Sequence, residues 1–598
     1  MEPSQAADEA RVLVIYTGGT IARRVFMTRN EIPCSPTQAQ YKASEIGAAG
    51  AADRARKAWL ALSIRLYRNE HSCAVPGGTG NKSIRYAILE WNPLLDSSNI
   101  DIDDWVRIAT EIELNYAFDA FVVLHGTDTM AYTSSALSFM LEDLGKTVIL
   151  TGAQIPMSQL RNDAVDNFMG ALTIAGHYII PECCVYFNHT LYRGNRVSKS
   201  SSYDLSAFSS PNFPPLVNVG IDIVVNWNDV LRQTSLRRFR AHKQMSPHVA
   251  TLRLFPGISA ATVRAFLMPP IRGVVLETFG AGNAPQRVDL MQAIKEACNR
   301  GVVIVAITQC SRGSVSDAYE TGRTMLQAGV VSGHDMTPEC ALAKLGYLLS
   351  KPELSVEKVR ELVATPLRGE LTRPSRSAPS QPPSVETTLE SIQGVLSEFV
   401  RLTQPAPHGP QITISSSEAR LERAVRDATA PWTWTAAEAA NTEAVLIPFL
   451  VHLAAARDDL ASMRFCFDAL GARDSDGVEQ HQFTNVAGGI VNCLDPATGQ
   501  TPLHAASLNG SARAVDLLLR SGALVHLRDS LGHTALYYAA RQGHEETVDL
   551  LVKAGATLGG VDEPFAALGF KEARLSGNQN AQRIWLKTGV KVSDDGER

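Results

Sequence analysis

The stretch RVLVIYTGGTIARR, Arg11 to Arg24, runs from a block of β-branched and aromatic residues straight into Gly18-Gly19, with Thr17 before the pair and Thr20 after it. A continuous apolar run stopped by glycine is the pattern of a strand buried on both faces and ending in a tight turn. Glycines at such a place admit backbone angles closed to other residues and let the chain approach a ligand closely. The turn lacks the G-x-x-x-x-G-K-[ST] and G-x-G-x-x-G spacings of phosphate cradles. It reads either as a structural turn or as the seat of a nucleophile, and the local residues do not say which threonine would act.

Outward from this stretch the same rhythm repeats. The segments AFVVLHG, KTVILTG, ECCVYFN, RGVVLETFG and RGVVIVAITQ have the form of buried strands, and MAYTSSALSFMLEDLG and DLMQAIKEACNRG between them have helical periodicity. From Arg11 to about Gly369 this alternation predicts an α/β domain with a mainly parallel sheet covered on both faces. In such sheets ligands sit beyond the carboxyl ends of the strands. The stretch 44–83 departs from the rhythm and reads as an insertion. Residues 373–440 read as a linker rich in Pro and Ser at its start, with one amphipathic helix, LESIQGVLSEFVRL.

Beyond the linker the chain repeats itself. Gly499, Thr501, Leu503 and Gly522 recur 33 residues later as Gly532, Thr534, Leu536 and Gly555. The TPLHAA of the first copy matches the ankyrin consensus, so residues 441–598 are predicted to form a small all-α ankyrin-repeat domain. Degenerate copies at 453–472 and 573–590 read as the end caps of the solenoid.

Composition bounds the function classes. A chain of 598 residues with 45% hydrophobic and 20% charged residues has the make-up of a soluble globular protein of several domains. Its net charge of -5 gives no general affinity for nucleic acid or anionic membrane. The first residues, MEPSQAADEA, do not resemble a secretory signal, and VLIPFLVHLAAA (Val445–Ala456) is too short to span a bilayer. The nine cysteines form no CxxC and no zinc spacing, so reduced thiols, no metal, no cofactor and a cytoplasmic location are expected.

Four segments carry the chemistry. The first is the opening turn, and the second is HGTDTM, where Thr127 and Asp128 follow a strand and open a helix. A helix N-cap explains this pair as well as catalysis does. The third is YRGNRVSKSSSYDLS, in which Lys199 reads locally as a solvated loop lysine or as the base that a threonine hydroxyl needs before it can attack. The fourth is DSSN, where Asp96, Ser97 and Ser98 offer an anion and two hydroxyls suited to an amino acid's ammonium and carboxylate, or a simple cap. There is no G-x-S-x-G elbow for an esterase serine.

Taken together, YTGGTI, DSSN, HGTDTMAYTSSALSFMLEDLGK and YRGNRVSKSSSYDLSAFSSPN resemble the bacterial-type L-asparaginases, particularly the cytoplasmic type, as do FPGISA, ETFGAGNAPQ and LRGELT. The resemblance runs from about Arg11 to Thr372. It implies a two-lobed catalytic region over 1–372, with an N-terminal lobe of about 11–250 and a C-terminal lobe of about 270–372. It also implies hydrolysis of L-asparagine to L-aspartate and ammonia through an acyl-enzyme.

In that family the threonine after the paired glycines is the nucleophile, which maps onto Thr20. The resemblance makes Thr127, Asp128 and Lys199 a proton-relay group, with Asp96, Ser97, Ser98, Thr127 and Asp128 binding substrate. It further implies a homo-oligomer and an effector site near Ser198, Thr308 and Cys310. Two departures stand out: Glu31 lies where family members carry a loop tyrosine, and LRNDAVDN has Asn162 and Ala164 in place of the usual residues. The ankyrin tail is similar to that of animal members also described as lysophospholipases. Ester hydrolysis at the same site is therefore an alternative, as is an ankyrin scaffold that binds a protein partner beside a weak enzyme half.

Overall fold

The computed structural model describes residues 9–19, 62–64, 83–315, 320–372, 436–471 and 489–590. These fall into two compact units, one of residues 9–231 with 238–372 and one of residues 232–237 with 436–590. Thr20, Glu31 and nearly all of the 373–440 linker lie outside the described residues.

The first unit is built on a sheet of nine strands: β1 (Glu9–Gly18), β2 (Leu62–Ile64), β3 (Ser83–Leu95), β4 (Ala120–Leu124), β5 (Thr147–Thr151), β6 (Cys183–Phe187), β7 (Thr190–Arg193), β8 (Val217–Val219) and β9 (Ile223–Val225). Their order is β9-β8-β7-β6-β5-β4-β1-β3-β2. Strands β3, β1, β4, β5 and β6 run parallel, and the strands at either edge are antiparallel.

Along β1, alternate side chains enter opposite cores. Leu13 and Ile15 pack toward the helices α1 (Ile102–Leu114) and α2 (Met130–Met140). Val12, Val14 and Tyr16 pack on the other face, toward α3 (Ala164–His177). Burial on both faces is why RVLVIY shows no polar alternation.

Strand β3 is absent from the sequence reading, because Arg85, Glu90 and Asn92 interrupt its apolar pattern. It pairs with β1 from Glu9↔Ser83 onward. The 44–83 segment lies largely outside the described residues. Its described strand, β2, pairs antiparallel with β3.

A second, four-stranded parallel sheet, β10 (Val249–Arg253), β11 (Gly273–Thr278), β12 (Val303–Thr308) and β13 (Val331–Ser332), forms the C-terminal lobe. One hydrophobic core joins the lobes: Phe121 and Leu137 belong to the same cluster as Val275, Val305 and Leu345.

The C-terminal lobe also holds a buried ion pair. Lys344 Nζ lies 2.5 Å from Glu370 Oε1, with both side chains fully buried. The ammonium also donates to the carbonyls of Val363 and Thr365, and the carboxylate accepts from the amides of Leu367 and Arg368. Removing one charge strands the other in a dry environment. Lys344→Met is expected to destabilise the first unit by about 3–5 kcal/mol, and the double variant Lys344→Met/Glu370→Gln by clearly less, read from calorimetric unfolding.

The second unit is all helical. Thr501 caps Pro502–Asn509 by accepting from the His504 amide, and His504 Nδ1 returns to the Thr501 backbone. His504 Nε2 reaches the carbonyl of His533 in the following repeat, so the T-P-L-H signature both starts a helix and joins two repeats. Helix pairs Ala436–Ala456/Leu460–Gly471 and Asp562–Leu575/Gln579–Lys587 stand at the two ends of the array. The first begins at Ala436, inside the span read as linker, where AAEAAN favours helix. Among the described residues no helix is long and apolar enough to cross a membrane.

Candidate active site

Strand order decides which turns meet. The sequence β3-β1-β4 sets the Gly18-Gly19 turn between the Asp96-Ser97-Ser98 turn and the Gly126-Thr127-Asp128 turn, all at the carboxyl rim of the sheet. The contacts are close. The Gly19 amide donates to the Leu95 carbonyl at 3.1 Å. Gly18 and Gly19 have φ of +143° and +84°, and a Cβ on Gly19 would come within 2.5 Å of the Gly126 amide nitrogen. Only glycine fits both the conformation and the space.

Thr17 is fully buried, and its hydroxyl donates to the Leu124 carbonyl at 3.0 Å. That bond ties β1 to β4 and occupies the Thr17 proton. Asp96 Oδ1 accepts from the amide and hydroxyl of Ser98, at 3.0 and 2.9 Å. Asp96 and Ser98 are exposed while Ser97 is buried beneath them. The Thr129 hydroxyl donates to the Ser97 carbonyl at 2.7 Å, which locks the second turn to the third.

Thr127 and Asp128 do not cap α2. The N-cap position falls on Thr129, without a side-chain capping bond. Thr127 and Asp128 instead face Lys199, whose Nζ lies 2.8 Å from Thr127 Oγ1 and 2.7 Å from Asp128 Oδ1. Lys199 is thus not a free loop lysine: its side chain is only 19% exposed, against 64% for Asp128. The Thr127 hydroxyl accepts from Lys199 and donates to Gln154 Oε1 at 3.2 Å.

The RGNR segment fixes the strand that carries Lys199. Arg196 pairs with Asp335 at 2.7 Å and also donates to the Gly369 carbonyl, while Asn195 donates to the Arg368 carbonyl. The segments YRGNRVSK and LRGELT, far apart in the chain, therefore bind each other.

Sequence reasoning missed Gln154 and His125. Gln154 lies in TGAQ after β5, a further strand ending in glycine, and that repetition was the available signal. Asp163 of LRNDAVDN accepts from the amides of Gln154 and Ile155, so the neighbouring substitutions leave this support in place. His125 is fully buried, and burial pushes its pKa down to about 4, so the imidazole is neutral near pH 7. Ser198 donates to Glu339, a carboxyl that burial shifts upward, and Cys310 is exposed beyond β12 with its amide on Thr308 Oγ1. Among the described residues no group of three or more His, Cys, Asp or Glu could hold a metal ion.

The turns leave no room for side chains at their centre. A Cβ on Gly126 would lie 2.3 Å from Ser97 Oγ and 2.6 Å from Ser97 Cβ. Gly126→Ala must therefore separate the second and third turns. Turnover is expected to fall by about 10²-fold, measured as the initial rate at saturating substrate.

The N-terminal part of the chain, residues 11–231, matches the family "Asparaginase, N-terminal", residues 248–363 match the "Glutaminase/Asparaginase C-terminal domain", and residues 451–562 match ankyrin repeats. The chain is 38% identical over 520 residues to a 60 kDa lysophospholipase of Mus musculus, covering 86% of this chain and 79% of that one. It is 46% identical over 363 residues to L-asparaginase 1 of Escherichia coli strain K12, covering 60% of this chain and 98% of the relative. Among solved structures, L-asparaginase I from Vibrio cholerae superposes with a TM-score of 0.50 at 40% identity, over 61% of this chain and all of the other. The chain belongs to the L-asparaginase family, as a member in which ankyrin repeats follow the two asparaginase domains.

Proposed function

We propose that the protein hydrolyses L-asparagine to L-aspartate and ammonia, with Thr20 as nucleophile. The observation that carries this reading is the convergence of Lys199 on Thr127 and Asp128 at the rim where the Gly18-Gly19 turn ends. Asp96 and Ser98, exposed beside that rim, take the substrate's ammonium and carboxylate together with Asp128, and Ser97 shapes the turn beneath them. Thr20 Oγ attacks the side-chain amide carbon, the C–N bond breaks, and ammonia leaves carrying the proton that the relay returns to it. Water then attacks the ester, aspartate is released and Thr20 regains its proton.

Thr127 accepts a hydrogen bond from Lys199 in the resting arrangement, so it can act as a base only by passing its own proton to a lysine that has given one up. The relay supports either the first attack or the activation of water. The name borne by the mouse relative supports a second activity at this site, hydrolysis of a lysophospholipid ester, which uses the same acyl transfer. A homo-oligomer acting in the cytoplasm, whose ankyrin repeats take a protein partner, completes the reading.

The test is steady-state ammonia release by the full chain across asparagine concentrations, with lysophosphatidylcholine hydrolysis followed in parallel. Asparagine turnover is the expected result. Turnover of the lipid alone would replace the asparaginase reading, and a sigmoidal asparagine curve would support the effector site.

A further inference from the structure

Both ends of a hydrogen-bond chain beneath the third turn have a fixed polarity. At one end His125 Nδ1 faces the Gly126 carbonyl at 2.6 Å. A carbonyl only accepts, so Nδ1 carries a proton. The ring is fully buried and its low pKa keeps it neutral, which leaves Nε2 bare. Thr133 Oγ1, 2.9 Å from Nε2, must therefore donate to it. At the other end the Trp105 indole, which can only donate, gives its proton to Thr133 Oγ1 at 3.0 Å. The chain runs one way, from Trp105 through Thr133 and His125 to the Gly126 carbonyl.

We propose that His125 is a positioning residue for the catalytic turn: held as the neutral Nδ1–H tautomer by Thr133 and Trp105, it clamps the Gly126 carbonyl and so sets the angle at which Thr127 meets Lys199. Gly126 is the residue where the turns touch, packed against both Gly19 and Ser97. Its carbonyl belongs to the peptide that leads into Thr127. Rotation of that peptide would swing the Thr127 hydroxyl away from the Lys199 ammonium while leaving Asp96 and Ser98 on their own turn. The other tautomer would set lone pair against lone pair at Gly126. This role rests on the reading of Thr127 as part of the proton relay.

The test uses the full chain labelled with ¹⁵N-histidine, with His125 signals assigned by their loss in His125→Asn, alongside steady-state kinetics of Thr133→Val and Thr133→Ser on asparagine. The wild-type ring is expected to show a protonated Nδ1 and a bare Nε2 at neutral pH. Thr133→Val is expected to lower kcat by about tenfold while KM changes less than about threefold, and Thr133→Ser, which keeps the hydroxyl, to restore kcat to within about twofold. A protonated Nε2 in the wild-type spectrum overturns the proposal, and so does a folded Thr133→Val enzyme with wild-type kcat. Should Thr133→Val not fold, the wild-type spectrum decides the matter alone. Should the wild-type chain fail to release ammonia, the asparaginase reading falls, while the spectrum still decides the clamp.

Discussion

Thr20→Ala is expected to lower asparagine hydrolysis by on the order of 10⁴-fold or more, with the melting temperature unchanged. Without the hydroxyl no acyl-enzyme can form, and only binding and electrostatic stabilisation remain to speed attack by water. The measurement is ammonia release at saturating asparagine. Thr17→Val is the informative partner: the Thr17 hydroxyl is buried and bonded to the Leu124 carbonyl, so its loss should lower stability without abolishing turnover. Full activity in Thr20→Ala would end the assignment, and the reverse pattern between the two threonines would move the nucleophile to the other side of the glycines.

Lys199→Met is expected to lower kcat by roughly 10³-fold, within the range typical of lost general acid-base groups. Methionine keeps the unbranched stem out to Cε but carries no ammonium to return a proton, and it leaves Thr127 and Asp128 without their common partner. Arginine should not rescue the defect. Its guanidinium does not deprotonate in proteins, and it cannot take up the proton of Thr127. A Lys199→Arg enzyme with near wild-type kcat would show that the charge alone matters and that no proton passes through this residue. KM for asparagine should move by less than kcat, because Asp128 alone of the groups proposed to hold the substrate's charged ends bonds Lys199, while Asp96 and Ser98 lie on a separate turn.

Much of the fold was legible because burial writes itself locally. RVLVIY and KTVILTG are apolar on both faces because helices cover both faces of the sheet, and TPLHAA carries its own cap. Strand β3 escaped because Arg85, Glu90 and Asn92 break its apolar pattern, although its backbone pairs with β1 from Ser83 to Glu90 and again at Leu95. At the site, the choice between cap and chemistry for Thr127 and Asp128 depended on a lysine about seventy residues further along the chain. No local rule reaches that far. His125 was passed over because a histidine beside a glycine turn has no pattern of its own; its meaning lies in Thr133 and Trp105, which approach from two different helices.

By itself, then, the sequence determined the kinds of elements, the parallel sheet, the helical repeats and the family resemblance through which Thr20, Asp96, Thr127, Asp128 and Lys199 are proposed as site residues. The tertiary structure alone decided which turns are neighbours. It set Gly18-Gly19 between two others through the order β3-β1-β4, took the Thr17 proton into a buried bond, and brought Lys199 to Thr127 and Asp128. The division has a physical cause. Periodicity and capping are short-range properties of a chain, whereas strand order and hydrogen-bond direction exist only once distant segments have paired.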